Sequence, residues 1–492
     1  MASTFQNPRD PSNPPPYPPD HHHHPSLATA AAAFPSHLDS ANLQPRAMFI
    51  CDILSRTTAA DVESTLARSG IIPTPDLVEE VLKLSYSHPA SAVKFFRWSG
   101  LRCKPTPYAW NLMVDVLGKN SLYEPMWDAV RSMKSEGVLS VSTFASIFRS
   151  YCSAGRLKEA SMSFDVMDRY GVSQDAVALN SLLSAICREE GQAVFAADLF
   201  DKAKAKVAPD ADTFAILLEG WEKEGNPTKA KSTFGEMVVR VGWDPRNMSA
   251  YDAFLTTLVR GGQPDDTFKF LRVMKGKGCL PGMKFFRNAL DILIHQGDSK
   301  NALELWKIMV GSGLVPNTVM YNGMIALLCD SRNFDSAFQL LDDMPFYGAF
   351  PNSTTYNTIF ECLVKNKKTR EAAKFLTEMR KNEFPPSAEN CVAAVRLFFN
   401  GYDPEAAMEA WSCCLEGEGV SRKIDECANE LLIGLNDLGR LSDVRRYAEE
   451  MLDQGVRIHL STMEKLKKTF YKAGKDEAYS HLVRRVRKDH RD

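Results

Sequence analysis

The 492-residue sequence contains no Cys-x-x-Cys, and its eleven cysteines include only one close couple, the adjacent Cys413 and Cys414. That spacing excludes a zinc ribbon, a thioredoxin-type dithiol and the disulfide framework of a small secreted domain. The cysteines read as small core hydrophobes in a reducing compartment. No apolar run approaches the roughly 18 residues needed to cross a bilayer, so no membrane partner is expected. Neither charge dominates, with 59 basic against 61 acidic side chains, so net charge supplies no attraction to a polyanion. Catalytic signatures are missing too. There is no P-loop, G-x-G-x-x-G turn, H-E-x-x-H helix or G-x-S-x-G elbow, and no H-x-E with P-C-x-x-C of the kind that holds the zinc of a nucleobase deaminase. The doublets Asp342-Asp343 and Glu449-Glu450 read as solvent-side residues of helices rather than a nuclease metal centre. The sequence therefore predicts no intrinsic catalysis, no cofactor and no metal.

What is present is uneven at one end and periodic elsewhere. Residues 1–46 carry ten of the 27 prolines, four consecutive histidines from His21 to His24 and an alanine tract. Such a segment buries too little apolar surface to offset its ordering entropy, and it reads as a disordered leader. Its position and its Ser, Ala and Pro content fit a transit peptide, although only Arg9 and Arg46 are basic. Residues 47–106 read as a helical region with one degenerate repeat, residues 107–459 as an array of about ten repeats, and residues 460–492 as a partial repeat with a basic capping helix.

The array is defined by self-similarity at a spacing near 35. Segments counted from Pro107, Val141, Ala176, Ala211, Met248, Met283, Thr318, Ser353, Ala388, Asp425 and Leu460 share their markers. An aromatic or apolar residue is followed by a small or polar one, as in Trp110-Asn111, Leu179-Asn180, Tyr321-Asn322 and Tyr356-Asn357. A Gly or polar turn residue comes about ten positions later, then a Met such as Met133, Met167 or Met309. Gly137, Gly171, Gly313 and their counterparts follow four residues on, at places that suit a helix C-terminus. Prolines such as Pro209, Pro316 and Pro351 then block helical continuation. Each segment thus reads as two amphipathic helices, with Phe144, Ile147, Phe148 and Tyr151 on one face and Leu157, Ala160, Phe164 and Met167 on the other. Neither helix can bury its stripe alone, so neighbouring hairpins must stack. The Met and aromatic stripes are core at that spacing, and Cys152, Cys187 and Cys329 recur at one packing position.

The strings YNGMIALLCDSRNFDSAFQLLDDMPFYGAFPN and TTYNTIFECLVKNKKTREAAKFLTEM resemble pentatricopeptide repeats. Units near 35 residues make the array similar to the P class of that family, and the Trp-Leu-Gly-Tyr pattern of tetratricopeptide repeats is not visible. The resemblance implies an all-α fold, an α-solenoid wound as a right-handed superhelix of helix-turn-helix repeats. It also implies single-stranded organellar RNA as ligand, about one base per unit, with other RNA-processing proteins as further partners. In the family a base is read by the residue after the aromatic together with the last residue of the unit. Carried over, the pairs are Asn111 with Ser140, Asn180 with Asp210, Asn322 with Asn352, and Asn357 with Ser387. Asn180 and Asp210 resemble a uracil-preferring pair and the others lean to cytosine or to pyrimidines, so the implied RNA is pyrimidine-biased. Val177 and Val319 match the short apolar residues that sandwich bases, whereas Asp212, Glu389 and Glu426 depart from them. Lys119, Arg188, Lys223, Arg260, Lys365 and Lys472 match a recurring basic residue near the end of the first helix that faces phosphate, with Asp330 and Asp437 as exceptions. Ala145, Asp252, Arg287, Val392 and Asn429 lie in units whose pairs are not standard, and the unit of Ala215 is two residues longer, leaving Arg246 or Asn247 as its partner.

An amide offers two donors and an acceptor, which is why asparagine suits the edge of an unstacked base. The expected function is therefore sequence-selective RNA binding that affects processing, stability, splicing or translation in mitochondria or, second, chloroplasts. The string FFRW before the array resembles P-class members of plant mitochondria. The alternative is a protein–protein scaffold whose groove holds a peptide or helix.

Overall fold

Each hairpin is specified locally. In Val141–Ser153 the side chains of Phe144, Ile147, Phe148 and Tyr151 share a buried face. The chain reverses at Gly155, where φ is +71°, a left-handed conformation that strains any residue with a β-carbon. It returns as Leu157–Asp165, with Ala160 and Phe164 buried, and ends in a 3-10 turn at Met167–Tyr170 before Gly171. Each fully buried Phe contributes roughly 1.5–3 kcal/mol, but that gain exists only when a second hairpin covers the face.

The structure is a computed structural model that describes residues 44–416 and 422–489. Among the described residues there are 26 α-helices and no strand, and the helices alternate as first and second members of hairpins. None of them is long and apolar enough to cross a membrane. First helices begin at Pro107, Val141, Ala176, Ala211, Met248, Met283, Thr318, Ser353, Ala388 and Leu460, the residues from which the sequence segments were counted. One begins elsewhere, at Arg422 rather than Asp425.

Contacts divide the chain into two compact units, Met1–Gly282 and Met283–Asp492. In the first, the hairpins run from Pro45–Arg56 with Val62–Arg68 to Met248–Arg260 with Pro264–Gly276. Pro45, at the first turn of its helix, places the last two residues of the 1–46 segment in folded structure. The rest of the leader, with His21–His24, lies outside the described residues. First helices pack side by side in one layer, and second helices pack against their own first helix, several of them also against the next. The layer is tight where side chains are small: a β-carbon on Gly118 would overlap the Ser150 side chain of the neighbouring first helix.

The second unit repeats this arrangement from Met283–His295 with Ser299–Gly311 to Leu460–Lys472 with Asp476–Asp489. Each unit is thus an α-solenoid. The last helix covers Leu441–Asp453 and Leu460–Lys472, burying Leu482 and Val486, and Arg485 pairs with Asp453. Burial pushes the thiols of Cys152 and Cys187 up to about 12, which keeps both protonated core residues.

Candidate nucleic-acid interface

The last residue of a sequence unit is the residue before the next first helix, with its backbone extended. Asp210, Asn352 and Ser387 hold this place, and each accepts a hydrogen bond from the backbone N–H three residues on. That bond caps a helix N-terminus. The residue five places into the unit lies on the preceding first helix, so stacking alone sets it beside the cap of its neighbour.

In the first unit this produces a closed set of bonds. Asn180 Nδ2 donates to Asp210 Oδ1 at 3.0 Å, and Thr213 Oγ1 donates to Asn180 Oδ1 at 2.7 Å. Thr213 N also donates to Asp210 Oδ1 at 2.9 Å, while Asp210 N donates to Thr213 Oγ1 at 3.1 Å. Burial raises the Asp210 pKa, but the hydrogen bonds from Asn180 and Thr213 outweigh it and hold the carboxyl below the usual carboxylate range. The bonds accepted by the Asp210 carboxylate all end on Oδ1, so among the described residues Oδ2 and one Asn180 N–H stay available. They border a cavity of about 540 Å³ whose wall includes Val177, Arg188, Asp212 and Ala215. Val177 is 61% exposed there, an aliphatic side chain left in solvent beside a polar pair.

In the second unit Asn322 Nδ2 approaches Asn352 Oδ1 at 3.4 Å, Thr355 Oγ1 donates to Asn322 Oδ1 at 2.6 Å, and Val319 is 77% exposed. Asn111 Oδ1 accepts from Thr143 Oγ1 at 2.7 Å, next to the capping residue Ser140. Asn357 differs. Its Oδ1 accepts from Ser387 N at 2.7 Å and from Asn390 Nδ2 at 3.0 Å, and its Nδ2 turns back to Ser353 O at 2.9 Å and Ser353 Oγ at 3.3 Å. Both amide hydrogens are engaged inside the protein.

The basic residues divide as well. Arg188 is exposed on the cavity wall, and among the described residues no ion pair involves it. Lys119 Nζ lies 2.9 Å from Asp115 and over the Tyr86 ring, and Lys365 Nζ lies 2.6 Å from Glu361. Lys223 Nζ donates to Cys187 O and Arg260 Nη1 to Glu222 O, both at 2.8 Å. These two satisfy carbonyls at the C-terminal end of the preceding first helix, where a cation is favoured. Arg149 shares the cavity wall with Arg188. It stands nine places into its unit, where no basic residue recurs in the first unit, so register did not flag it.

Models of two families match the chain, the PPR repeat family over residues 316–365 and 351–389, and a family described as pentatricopeptide repeat-containing protein over residues 114–237. Over those residues the chain is similar to pentatricopeptide repeat proteins. Two mitochondrial pentatricopeptide repeat-containing proteins of Arabidopsis thaliana are each 31% identical to it, over 174 and 182 residues. Those matches take in 35% of this chain in both cases and 34% and 32% of the relatives, so the chain spans about a third of the curated relatives' length. The crystal structure of the pentatricopeptide repeat protein PPR10 in complex with an 18-nt psaJ RNA element is also similar, with 19% identity, a TM-score of 0.44, and coverage of 89% of this chain and 67% of that one.

The fifth-place residues of the non-standard units make contacts of another kind. Asp252 is buried, and its Oδ1 accepts from Gly282 N at 2.7 Å, so it braces a turn. Asn429 is buried too, donating to Asp425 O and Arg457 O and accepting from His459 N and Thr462 Oγ1. In the longer unit Asn247 precedes the helix Met248–Arg260, while Arg246 is held by Asp244 at 2.6 Å.

Proposed function

We propose that this protein binds single-stranded RNA selectively and without catalysis, acting on transcript processing, stability, splicing or translation in mitochondria. The observation that carries this reading is the Asn180–Asp210 pair. It offers an N–H donor and a carboxylate acceptor beside the exposed Val177 in an open cavity. A donor next to an acceptor complements the O4 and N3–H edge of uracil, and the valine supplies a face for the ring. Asn322 with Asn352 offers amide donors instead, which suits the N3 and O2 acceptors of cytosine. The ligand is therefore pyrimidine-biased at these units. Stacking and pairing at about 1–3 kcal/mol per base over a few competent units suffice for useful affinity. The mitochondrial names of the Arabidopsis relatives support the location, and unit lengths near 35 support the P class.

Filter binding of the full chain to pyrimidine-rich and purine-rich single-stranded RNA tests the reading. Pyrimidine-rich RNA is retained in preference, and Asn180→Ala/Asp210→Ala reduces that preference. Weak, sequence-blind retention unaffected by the double change assigns the surface to a protein partner, and metal-dependent shortening of the RNA by purified protein overturns the non-catalytic part.

A further inference from the structure

The residue that orients each reading asparagine stands in the next unit. Five units of the array carry asparagine at the fifth place: Asn111, Asn180, Asn322, Asn357 and Asn429. At the third place of the unit that follows each stand Thr143, Thr213, Thr355, Asn390 and Thr462. The other five carry Ala145, Ala215, Asp252, Arg287 and Val392, followed by Ala178, Ala250, Phe285, Met320 and Cys427. Every asparagine has a hydrogen-bonding residue after it, and every other residue has an apolar one.

The third place is core. Thr143, Thr213 and Thr355 are 0% exposed, Thr462 is 2% and Asn390 is 7%. A buried polar group needs partners, and in all five cases the asparagine Oδ1 is one; the Thr213 and Thr355 hydroxyls also reach Asp210 Oδ1 and Asn352 Oδ1, at the longer distances of 2.9 and 3.0 Å. The bond also decides which way the amide faces. With Asn180 Oδ1 held by the Thr213 hydroxyl, Nδ2 lies 3.0 Å from Asp210 Oδ1. An amide flip would set two oxygens against each other there and place Nδ2 against the threonine.

We infer that Thr213, Thr355 and Thr143 are positioning residues that fix the amide of the preceding unit with its carbonyl inward, and so set which hydrogen-bonding group a base meets. This rests on the RNA-binding reading. It assigns part of the base preference of each unit to a buried residue of the next one, which touches no RNA. Asn429, buried with all its amide groups engaged, uses the same device for packing alone.

Thr213→Val keeps the shape and removes the hydroxyl, and Thr213→Ser restores it. The full chain and both variants are each incubated with a randomised 20-nucleotide single-stranded RNA pool, and the retained RNA is sequenced. Asp210→Asn, run in parallel, marks the RNA position facing this unit. At that position Thr213→Val lowers uracil-over-cytosine enrichment about three- to tenfold, the worth of one hydrogen bond, with other positions unchanged, and Thr213→Ser returns it. A uniform loss of affinity at all positions, or a serine variant that behaves like valine, overturns the inference. A second readout needs no RNA. In protein labelled with 15N-asparagine, the Asn180 side-chain amide exchanges with solvent faster in Thr213→Val than in the parent, and equal exchange overturns the positioning claim. Should the parent retain no RNA selectively, the functional reading fails while the exchange measurement still decides the role of Thr213.

Discussion

Asp210 holds the Asn180 amide with the same oxygen that caps the following helix. Helix initiation in one repeat and orientation of an amide in the previous one thus share a single atom. Where the residue at this place caps the helix, as Asp175, Asp210, Asn317, Asn352 and Ser387 do, capping favours Asp, Asn, Ser or Thr, whose free atoms are an acceptor, an amide donor or a hydroxyl, whereas Gly282 and His459 hold the place without a side-chain cap. Capping preference supplies a small set of distinct hydrogen-bonding faces at the boundaries so capped.

Asp210→Asn therefore keeps the helix and changes the face. Asparagine caps about as well as aspartate, so the far-ultraviolet circular dichroism of the variant matches the parent. The outward acceptor becomes an amide donor, as at Asn352. The preference at that RNA position moves from uracil toward cytosine by about tenfold, on the scale of one good polar contact. Competition binding between RNAs differing at one base measures it, and an unchanged uracil preference counts against base reading by this pair.

The lowered pKa of Asp210 sets the pH response. A carboxyl depressed in the folded state stabilises fully above its unfolded pKa of about 3.9 and loses that contribution as pH falls through the lower folded value. The difference in melting temperature between parent and Asp210→Asn is constant from pH 8 to pH 5 and narrows as pH drops below about 4. A difference that shrinks between pH 7 and pH 5 contradicts the assigned hydrogen bonds.

Salt dependence separates the basic residues. Arg188 has no ion pair among the described residues, whereas Lys365 is matched by Glu361. One phosphate contact on a single strand changes the slope of log affinity against log salt by about 0.7. Arg188→Gln reduces the slope by about that amount, and Lys365→Gln by less than half of it. Equal reductions mean that Glu361 swings away when RNA binds.

Much of the fold was legible because each boundary is marked chemically. A proline before the cap and an aromatic three places into the helix located Thr318 and Ser353 to the residue. The helix at Arg422 starts three residues before Asp425, and its upstream sequence carries no proline to stop it. Which residues stand beside one another was legible, but the orientation of their side chains was not. Asn357 and Asn322 have the same sequence context of tyrosine and asparagine, yet Asn357 spends its amide on Ser353 while Asn322 keeps an N–H. That outcome depends on side chains from two helices. Likewise Lys223 and Arg260 occupy the expected register but bond helix carbonyls, a role that period alone cannot distinguish from phosphate contact.

The turn inside each hairpin yields a stability prediction. Gly155, Gly225, Gly262 and Gly439 hold a left-handed conformation fifteen residues into their units, and Ser121, Arg332, Lys367 and Tyr402 hold the same conformation at the same place, with φ between 56 and 59°. A side chain there costs roughly 1–2 kcal/mol, part of which glycine returns through the greater entropy of its unfolded chain. Tyr402 is 81% exposed, so little packing is lost with its ring. Tyr402→Gly stabilises the second unit by about 0.5–1 kcal/mol, whereas Tyr402→Ala, which keeps the strained β-carbon, does not. Urea unfolding of the full chain with the other six tryptophans replaced by phenylalanine, followed by the fluorescence of Trp411 in the same hairpin, reads the difference locally, because stability in a repeat array passes mainly between neighbours. Equal midpoints for the glycine and alanine variants would show that backbone strain at this turn is relieved in solution.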